Sequence, residues 1–274
     1  LYAMSFERGA PKGKLKKLGP VKNRRGTKVA FKPDDKIFGR GCAFKPARLF
    51  KMARSKAYLF GGVEIRWTCD PSLITDDTPP EATFHFPGGL KDYLLSEING
   101  QTQVTKELFA GRTAGANGHG SVEWAVAWIS DKDGFLRSYC NTIPTPDGGT
   151  HESGLRQALS KGLRAYGELT NNRRAAQITA DDILSTAAGM LAVFIREPEF
   201  QGQTKEKLST VEAARLVAGA VRDPADNWLA ADPKRAKQPP EFPTDPPDAR
   251  PQRPPDHAPP RPRPPHQLRV SGHP

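Results

Sequence analysis

Lys205 stands in the stretch Glu197 to Thr210, EPEFQGQTKEKLST, behind a Gln-Gly-Gln-Thr turn and ahead of a Ser-x-x-Glu pattern, Ser209 to Glu212, of the kind that opens a helix. Lysine is a compact cation and serves well as a point-charge contact for a phosphate. Gln201, Gln203 and Thr204 add amide and hydroxyl donors, and Gly202 lets the backbone come close to a bound group. The plainer alternative is a solvated, charged loop. His151 follows the pair Gly148-Gly149, a place suited to an anion or a tight turn, although its spacing favours capping or packing. His85 falls inside a strand pattern and reads as a packing residue. No GxxxxGK[ST] loop, GxGxxG, HExxH or CxxC occurs, so metal catalysis has no candidate residues. Cys42, Cys69 and Cys140 are odd in number and far apart, which argues against a disulfide framework and a zinc site and fits a reducing cytoplasm.

The elements that must carry these residues are read from periodicity. GTKVAFKP, Gly26 to Pro33, alternates Val29 and Phe31 with lysines and predicts a short strand with one buried face. PARLFKMARSKAYLF predicts a helix. GVEIRWTC predicts a strand with Val63, Ile65 and Trp67 on one face, and ATFHFPGGLKDYLLSEI a strand stopped at Pro87-Gly88-Gly89 before a helix. SVEWAVAWI and FLRSYCNTI read as two strands of a hairpin turning near Asp133-Gly134. Leu155, Leu159, Leu163 and Tyr166 mark one face of a long helix. Thr179 and Asp182 form a capping box ahead of a helix DDILSTAAGM, and LAVFIREPEF follows as a strand. A last helix, TVEAARLVAGAVRDPADNWL, is expected to be interrupted at Pro224. The order of elements makes the body α+β.

Charge is unevenly spread. Residues 1–60 hold 17 Lys and Arg against 3 Asp and Glu, whereas residues 61–230 hold 16 against 22. The basic first part suggests a polyanionic partner, with a solubilising surface as the plain alternative. No apolar run approaches the ~18–20 residues of a membrane span, and the basic start lacks the apolar core of a signal peptide. The sequence opens at Leu1 rather than Met and is expected to be a piece of a longer chain. Its last 44 residues hold 15 of the 27 prolines, a composition that cannot bury a core. That tail is expected to be disordered.

Three stretches, YCNTIPTPDGGTHESGLRQAL, AAQITADDILSTAAGMLAVFIREPEFQGQTKEKLST and FHFPGGLKDYL, resemble the bacterial type IIA DNA topoisomerase ATPase subunits, and SYCNTIPT with GLRQAL resembles the topoisomerase IV branch (ParE) more than gyrase B. SFERG at Ser5 and GTKVAFKPD at Gly26 are similar to the end of the GHKL ATPase domain in that family. The resemblance runs from about Tyr2 to about Lys237 and implies three parts: residues 1–40 as the end of a GHKL ATPase domain, 41–230 as a transducer domain with a ribosomal-protein-type left-handed βαβ fold, and 231–274 as a Pro/Arg-rich tail that reads as out of frame. It implies ATP as the nucleotide, with Lys205 on its γ-phosphate, Gln203 as the loop partner of that lysine, and Thr27 at the adenine end of the pocket. Mg2+ ligands, the general base and the glycine-rich lid are expected upstream of Leu1. The implied partners are DNA, the topoisomerase IV A subunit (ParC) and a second B subunit in a heterotetramer, in the cytoplasm. A gyrase B, another GHKL protein, or a non-enzymatic basic nucleic-acid-binding module are the alternatives.

Overall fold

The computed structural model describes residues 1–231, except 24, 40, 106, 115–119, 131–132 and 171–178. The Pro-rich tail therefore lies outside the described residues. Residues 1–23 carry four two-residue strands, β1 (Tyr2–Ala3), β2 (Phe6–Glu7), β3 (Ala10–Pro11) and β4 (Lys16–Lys17), paired as β1–β4 and β2–β3. The expected strand at residues 26–33 is absent. That segment forms no strand, and Val29 and Phe31 are 77% and 75% exposed. Alternating residues make a strand only when a neighbour takes up the backbone groups and a layer covers the apolar face. Among the described residues no strand pairs with this segment, and the edge-on contact of Phe31 with the Phe44 ring, at 5.5 Å, does not cover its apolar face.

Beyond a one-turn α1 (Asp35–Phe38), the chain builds a helix α2 (Pro46–Leu59), a hairpin β5 (Glu64–Thr68) and β6 (Glu81–His85), and a helix α3 (Leu90–Glu97). Pro46 opens α2 at a position whose N–H has no intrahelical partner anyway. Phe50 of α2 packs edge-on against Trp67 and Phe84 of the hairpin. His85 is exposed at the end of β6, on the face opposite the buried Phe84, so it is not the packing residue that its apolar neighbours suggested. The first turn of α3 is tied to the sheet by Glu123, whose carboxylate accepts the Leu90 N–H at 2.7 Å.

The centre is a five-stranded sheet, formed by β7 (Phe109–Ala114), β8 (Ser121–Trp128), β9 (Phe135–Cys140), β10 (Ile143–Pro144) and β11 (Ala187–Phe194) in the order β10-β9-β11-β8-β7. Between β10 and β11 run α4 (Thr150–Leu169) and α5 (Ala180–Ser185). After β11 come β12 (Phe200–Gln201), β13 (Lys207–Leu208) and α6 (Val211–Ala231). The sheet corrects the reading of Asp133-Gly134. β8 and β9 do not pair, because β11 lies between them, antiparallel to β8 and parallel to β9. Gly134 instead backs onto the start of β11, donating to Ser185 O, and a Cβ there would meet Ala187 O at 2.5 Å.

β11 explains this placement. It is buried from Ala187 to Val193, and an unbroken apolar run of that kind belongs at the middle of a sheet covered on both faces. Leu191 and Val193 join Trp124 and Val126 under α4 and α6, while Met190 and Ala192 join Ala125 and Ala127 under α2 and α3. The same run moves a boundary: α5 stops at Ser185 and the strand begins at Ala187, four residues before the predicted LAVFIREPEF. The capping box of Thr179 and Asp182 is present as read. Pro224 does not interrupt the last helix, which runs from Val211 to Ala231. Ala213, Val217, Val221, Ala225 and Leu229 bury one face on both sides of the proline, so packing carries the helix across the missing N–H. α4 and α6 meet closely at Gly154, where a Cβ would lie 2.3 Å from Ala214 O.

Candidate functional site

β12 and β13 form a small hairpin, with Phe200 opposite Leu208 and Gln201 opposite Lys207. The turn between them, 202–206, is exposed and holds both Gln203 and Lys205. Gly202 and Lys205 have positive φ, 76° and 58°. A lysine in the left-handed region costs about 1–2 kcal/mol, which the turn accepts to aim this side chain. The Lys205 ammonium lies 5.9 Å from the centre of the Phe200 ring, and among the described residues no carboxylate pairs with it. The nearby Glu206 carboxylate is taken by the Thr204 hydroxyl at 3.1 Å.

The base of the hairpin is as firm as its tip is free. Leu208 is buried, a gain of about 1.5–3 kcal/mol. Its N–H donates to Gly148 O, and Asp147 N–H donates to Glu206 O, each at 3.0 Å. Gly149 has φ 140° and ψ −162°, a conformation reserved for glycine, and a Cβ there would lie 2.2 Å from Leu208 O. The glycine pair thus serves as a close backbone seat for the hairpin. The hairpin's entry is held by Asn141, whose side chain accepts the Ile195 N–H at 2.9 Å and donates to Ile195 O at 2.8 Å. Asn141 and Thr142 both have positive φ and form a two-residue turn joining β9 to β10, so the strand read through FLRSYCNTI ends at Cys140.

Under the seat is a chain of polar groups, buried except for the half-buried Glu152, that sequence reasoning missed, apart from His151. The His151 ring is fully buried, with Nε2 3.1 Å from Thr145 Oγ1. Thr145 Oγ1 is 2.7 Å from Ser138 Oγ, and Ser138 donates to Glu152 Oε1 at 2.6 Å. Nothing in the spacing of Ser138, Thr145 and Glu152 marks them; only the fold brings two strand ends and a helix start together. His151 bears out the packing alternative. Burial pushes its pKa down to about 4 from an ordinary value near 6.5. Between those values the unfolded chain takes up a proton that the folded chain refuses, so stability is expected to fall as pH drops from about 6.5 to about 4, by up to about 1.4 kcal/mol per unit, and to level off below. Burial raises the Glu152 carboxyl above its usual range and acts in the opposite sense, because the folded state holds that proton first. Thermal midpoints measured across this window check the effect, and His151→Gln is expected to flatten its upper part.

A cleft of about 330 Å³ lies between the start of α4 and the hairpin, lined by Glu152 and Arg156 on one side and Gln201 and Lys207 on the other. Gln203 and Lys205 are not in its lining. Thr27 is exposed on the segment 26–33, which forms no strand. Of the three residues singled out for nucleotide contact, Gln203 and Lys205 share one turn, and Thr27 stands on a different segment.

A family model described as DNA gyrase B matches residues 89–249, more than half of the sequence, and the chain belongs to that family. The DNA topoisomerase 4 B subunit of Caulobacter vibrioides is 57% identical over 241 residues, which are 86% of this chain and 34% of that protein. The chain therefore spans about a third of the length of the curated relatives it matches. Among solved structures, the 43K ATPase domain of Thermus thermophilus gyrase B in complex with an aminocoumarin superposes with a TM-score of 0.69 at 27% identity, covering 86% of this chain and 62% of that one. The topoisomerase IV ATP-binding domain of Francisella tularensis in complex with a small-molecule inhibitor gives 0.67 at 29% identity, with the same coverage. The α+β fold class expected from the sequence, that of the GHKL ATPase subunits, is the one found.

Proposed function

We propose that the chain is the part of a topoisomerase IV B subunit that senses ATP and passes that state to the DNA-handling machinery. Residues 1–40 close a GHKL ATPase domain, and residues 41–230 form the transducer, with the crossover from β9 through α4 and α5 to β11 left-handed. The observation that carries this reading is Lys205, a cation that has no carboxylate partner among the described residues, at an exposed tip whose base is fixed. Lys205 reaches the γ-phosphate of ATP, Gln203 supports it, and Thr27 meets the adenine end once the ATPase domain is in place. A contact that exists with ATP and is lost with ADP binds the two states differently, and only such a difference can drive a domain movement.

Among the described residues no group of three or more His, Cys, Asp or Glu is gathered to hold a metal. The Mg2+ ligands are proposed to come from residues outside those described. DNA, the A subunit ParC and a second B subunit in a heterotetramer are the proposed partners. None of the described helices is long and apolar enough to cross a membrane, which suits the proposed place in the cytoplasm.

The test is the complete B subunit mixed with its A subunit and catenated DNA circles. ATP-dependent unlinking is the expected result. ATP-dependent introduction of negative supercoils in place of unlinking assigns the gyrase branch instead. DNA binding with a steep salt dependence and no response to ATP assigns a basic nucleic-acid-binding module.

A further inference from the structure

The buried groups beneath the hairpin have a direction. Ser138 has one hydroxyl proton, and its shortest contact, 2.6 Å, is with the acceptor Glu152. With that proton committed, the 2.7 Å contact to Thr145 requires Thr145 to donate. Thr145 then accepts from His151, which places the ring proton on Nε2. Nδ1 of His151, a buried nitrogen without a hydrogen-bond partner, is left as a bare lone pair, a cheaper orphan than an N–H. The donors thus run His151 to Thr145 to Ser138 to Glu152 and end on a carboxylate.

The middle of that chain is also the start of the seat. Thr145 O accepts the Gly148 N–H at 2.9 Å and closes the turn 145–148, whose Asp147 and Gly148 make the two backbone bonds to Glu206 and Leu208 on either side of Lys207. The Glu152 carboxylate lies against Gly148, where a Cβ would meet Oε2 at 2.6 Å. Thr145 thus joins the two: its Oγ1 belongs to the buried chain and its backbone O closes the turn, and the turn carries the strand that follows Lys205.

We infer that Thr145, held between His151 and Ser138, is a positioning residue that sets where the hairpin presents Lys205, an inference that rests on the γ-phosphate role proposed for that lysine. The chain acts on the lysine through backbone hydrogen bonds and touches no nucleotide itself. Its loss changes where the cation sits while leaving the cation and the adenine contacts in place.

The experiment compares Thr145→Val, Thr145→Ser, Lys205→Ala and the double variant Thr145→Val/Lys205→Ala in the complete subunit, reading kcat, KM for ATP and ADP affinity. Thr145→Val keeps the volume and removes the hydroxyl. It is expected to lower kcat about tenfold, inside the ~10²-fold that a 1 Å misplacement can cost, with ADP affinity unchanged. Thr145→Ser is expected to recover most of the rate, and Thr145→Val is expected to add no further loss on top of Lys205→Ala. Should Thr145→Val fail to fold, Ser138→Ala breaks the same chain one link away and is read in the same way. Full activity in the chain-breaking variant while Lys205→Ala is impaired overturns the positioning role alone, as does a loss that multiplies with that of Lys205→Ala. Wild-type hydrolysis by Lys205→Ala overturns instead the γ-phosphate reading on which the inference rests.

Discussion

Lys205→Ala in the complete subunit is expected to lower ATP hydrolysis by about 10²-fold, the scale for losing one preorganised electrostatic contact to developing charge. ADP affinity is expected to change little, because adenine and ribose contacts come from elsewhere and ADP offers no γ-phosphate to the lysine. The free tip predicts that the fold survives the change: Lys205 is exposed, and what it loses is a distant contact with the Phe200 ring, worth about 0.5–1 kcal/mol at such a site. Lys205→Arg should restore activity only in part, since a planar fork does not replace a compact ammonium at the end of a tight turn. Steady-state hydrolysis and ADP titration on the same preparations check this. Unimpaired hydrolysis in Lys205→Ala would remove the lysine from the chemistry.

Gly149→Ala is expected to be the most damaging small substitution in the seat. The conformation at Gly149 is one that a residue with a Cβ does not adopt without strain, and the added methyl would stand 2.2 Å from Leu208 O and 2.7 Å from Leu208 N. Backbone strain and overpacking each cost about 1–3 kcal/mol, so a loss on the order of 3 kcal/mol is expected in urea unfolding of the chain. Whatever fraction stays folded must lift the hairpin off α4, because both contacts are with backbone atoms that have no rotamer to yield. Activity of the complete subunit should then fall alongside stability, which separates this variant from Lys205→Ala. Wild-type stability in Gly149→Ala would mean that the hairpin does not sit where the geometry puts it.

Much of the architecture was legible because it is local. The helices α3 and α6, the apolar face of α4, the capping box at Thr179, and the strands β5 and β6 depend on residues a few positions apart, and local pattern finds them. The misreadings share a cause: each needed a distant partner to decide it. Asp133-Gly134 has the chemistry of a hairpin turn, but β11, buried from Ala187 to Val193, takes the slot between β8 and β9. Val29 and Phe31 alternate as a strand should, yet no strand pairs with them among the described residues, and the edge-on contact of Phe31 with Phe44 leaves both largely exposed. Pro224 carries the signal of a break, and the packing of α6 overrides it. The site divides in the same way. Lys205, Gln203 and Gly202 could be found in one short stretch, whereas Ser138, Thr145 and Glu152 matter only through their juxtaposition under Gly148. Asn141-Thr142 could have been found as a turn, since asparagine tolerates positive φ, but the β-rich residues around it hid the signal.

The central position of β11 has a consequence for how the protein is made. As the chain leaves the ribosome, β8 and β9 emerge early, and the strand that must lie between them follows only after β10, α4 and α5. At ~5–20 residues per second the nascent chain waits several seconds with two apolar strand edges facing an empty slot. If β8 and β9 zipped together in that interval, they would have to part again before β11 could enter, and non-local pairing of this kind is slow to form. Synthesis of this sheet is therefore a stage at which an open edge invites a foreign strand, and at which a chaperone that keeps the slot vacant would raise the yield of native protein.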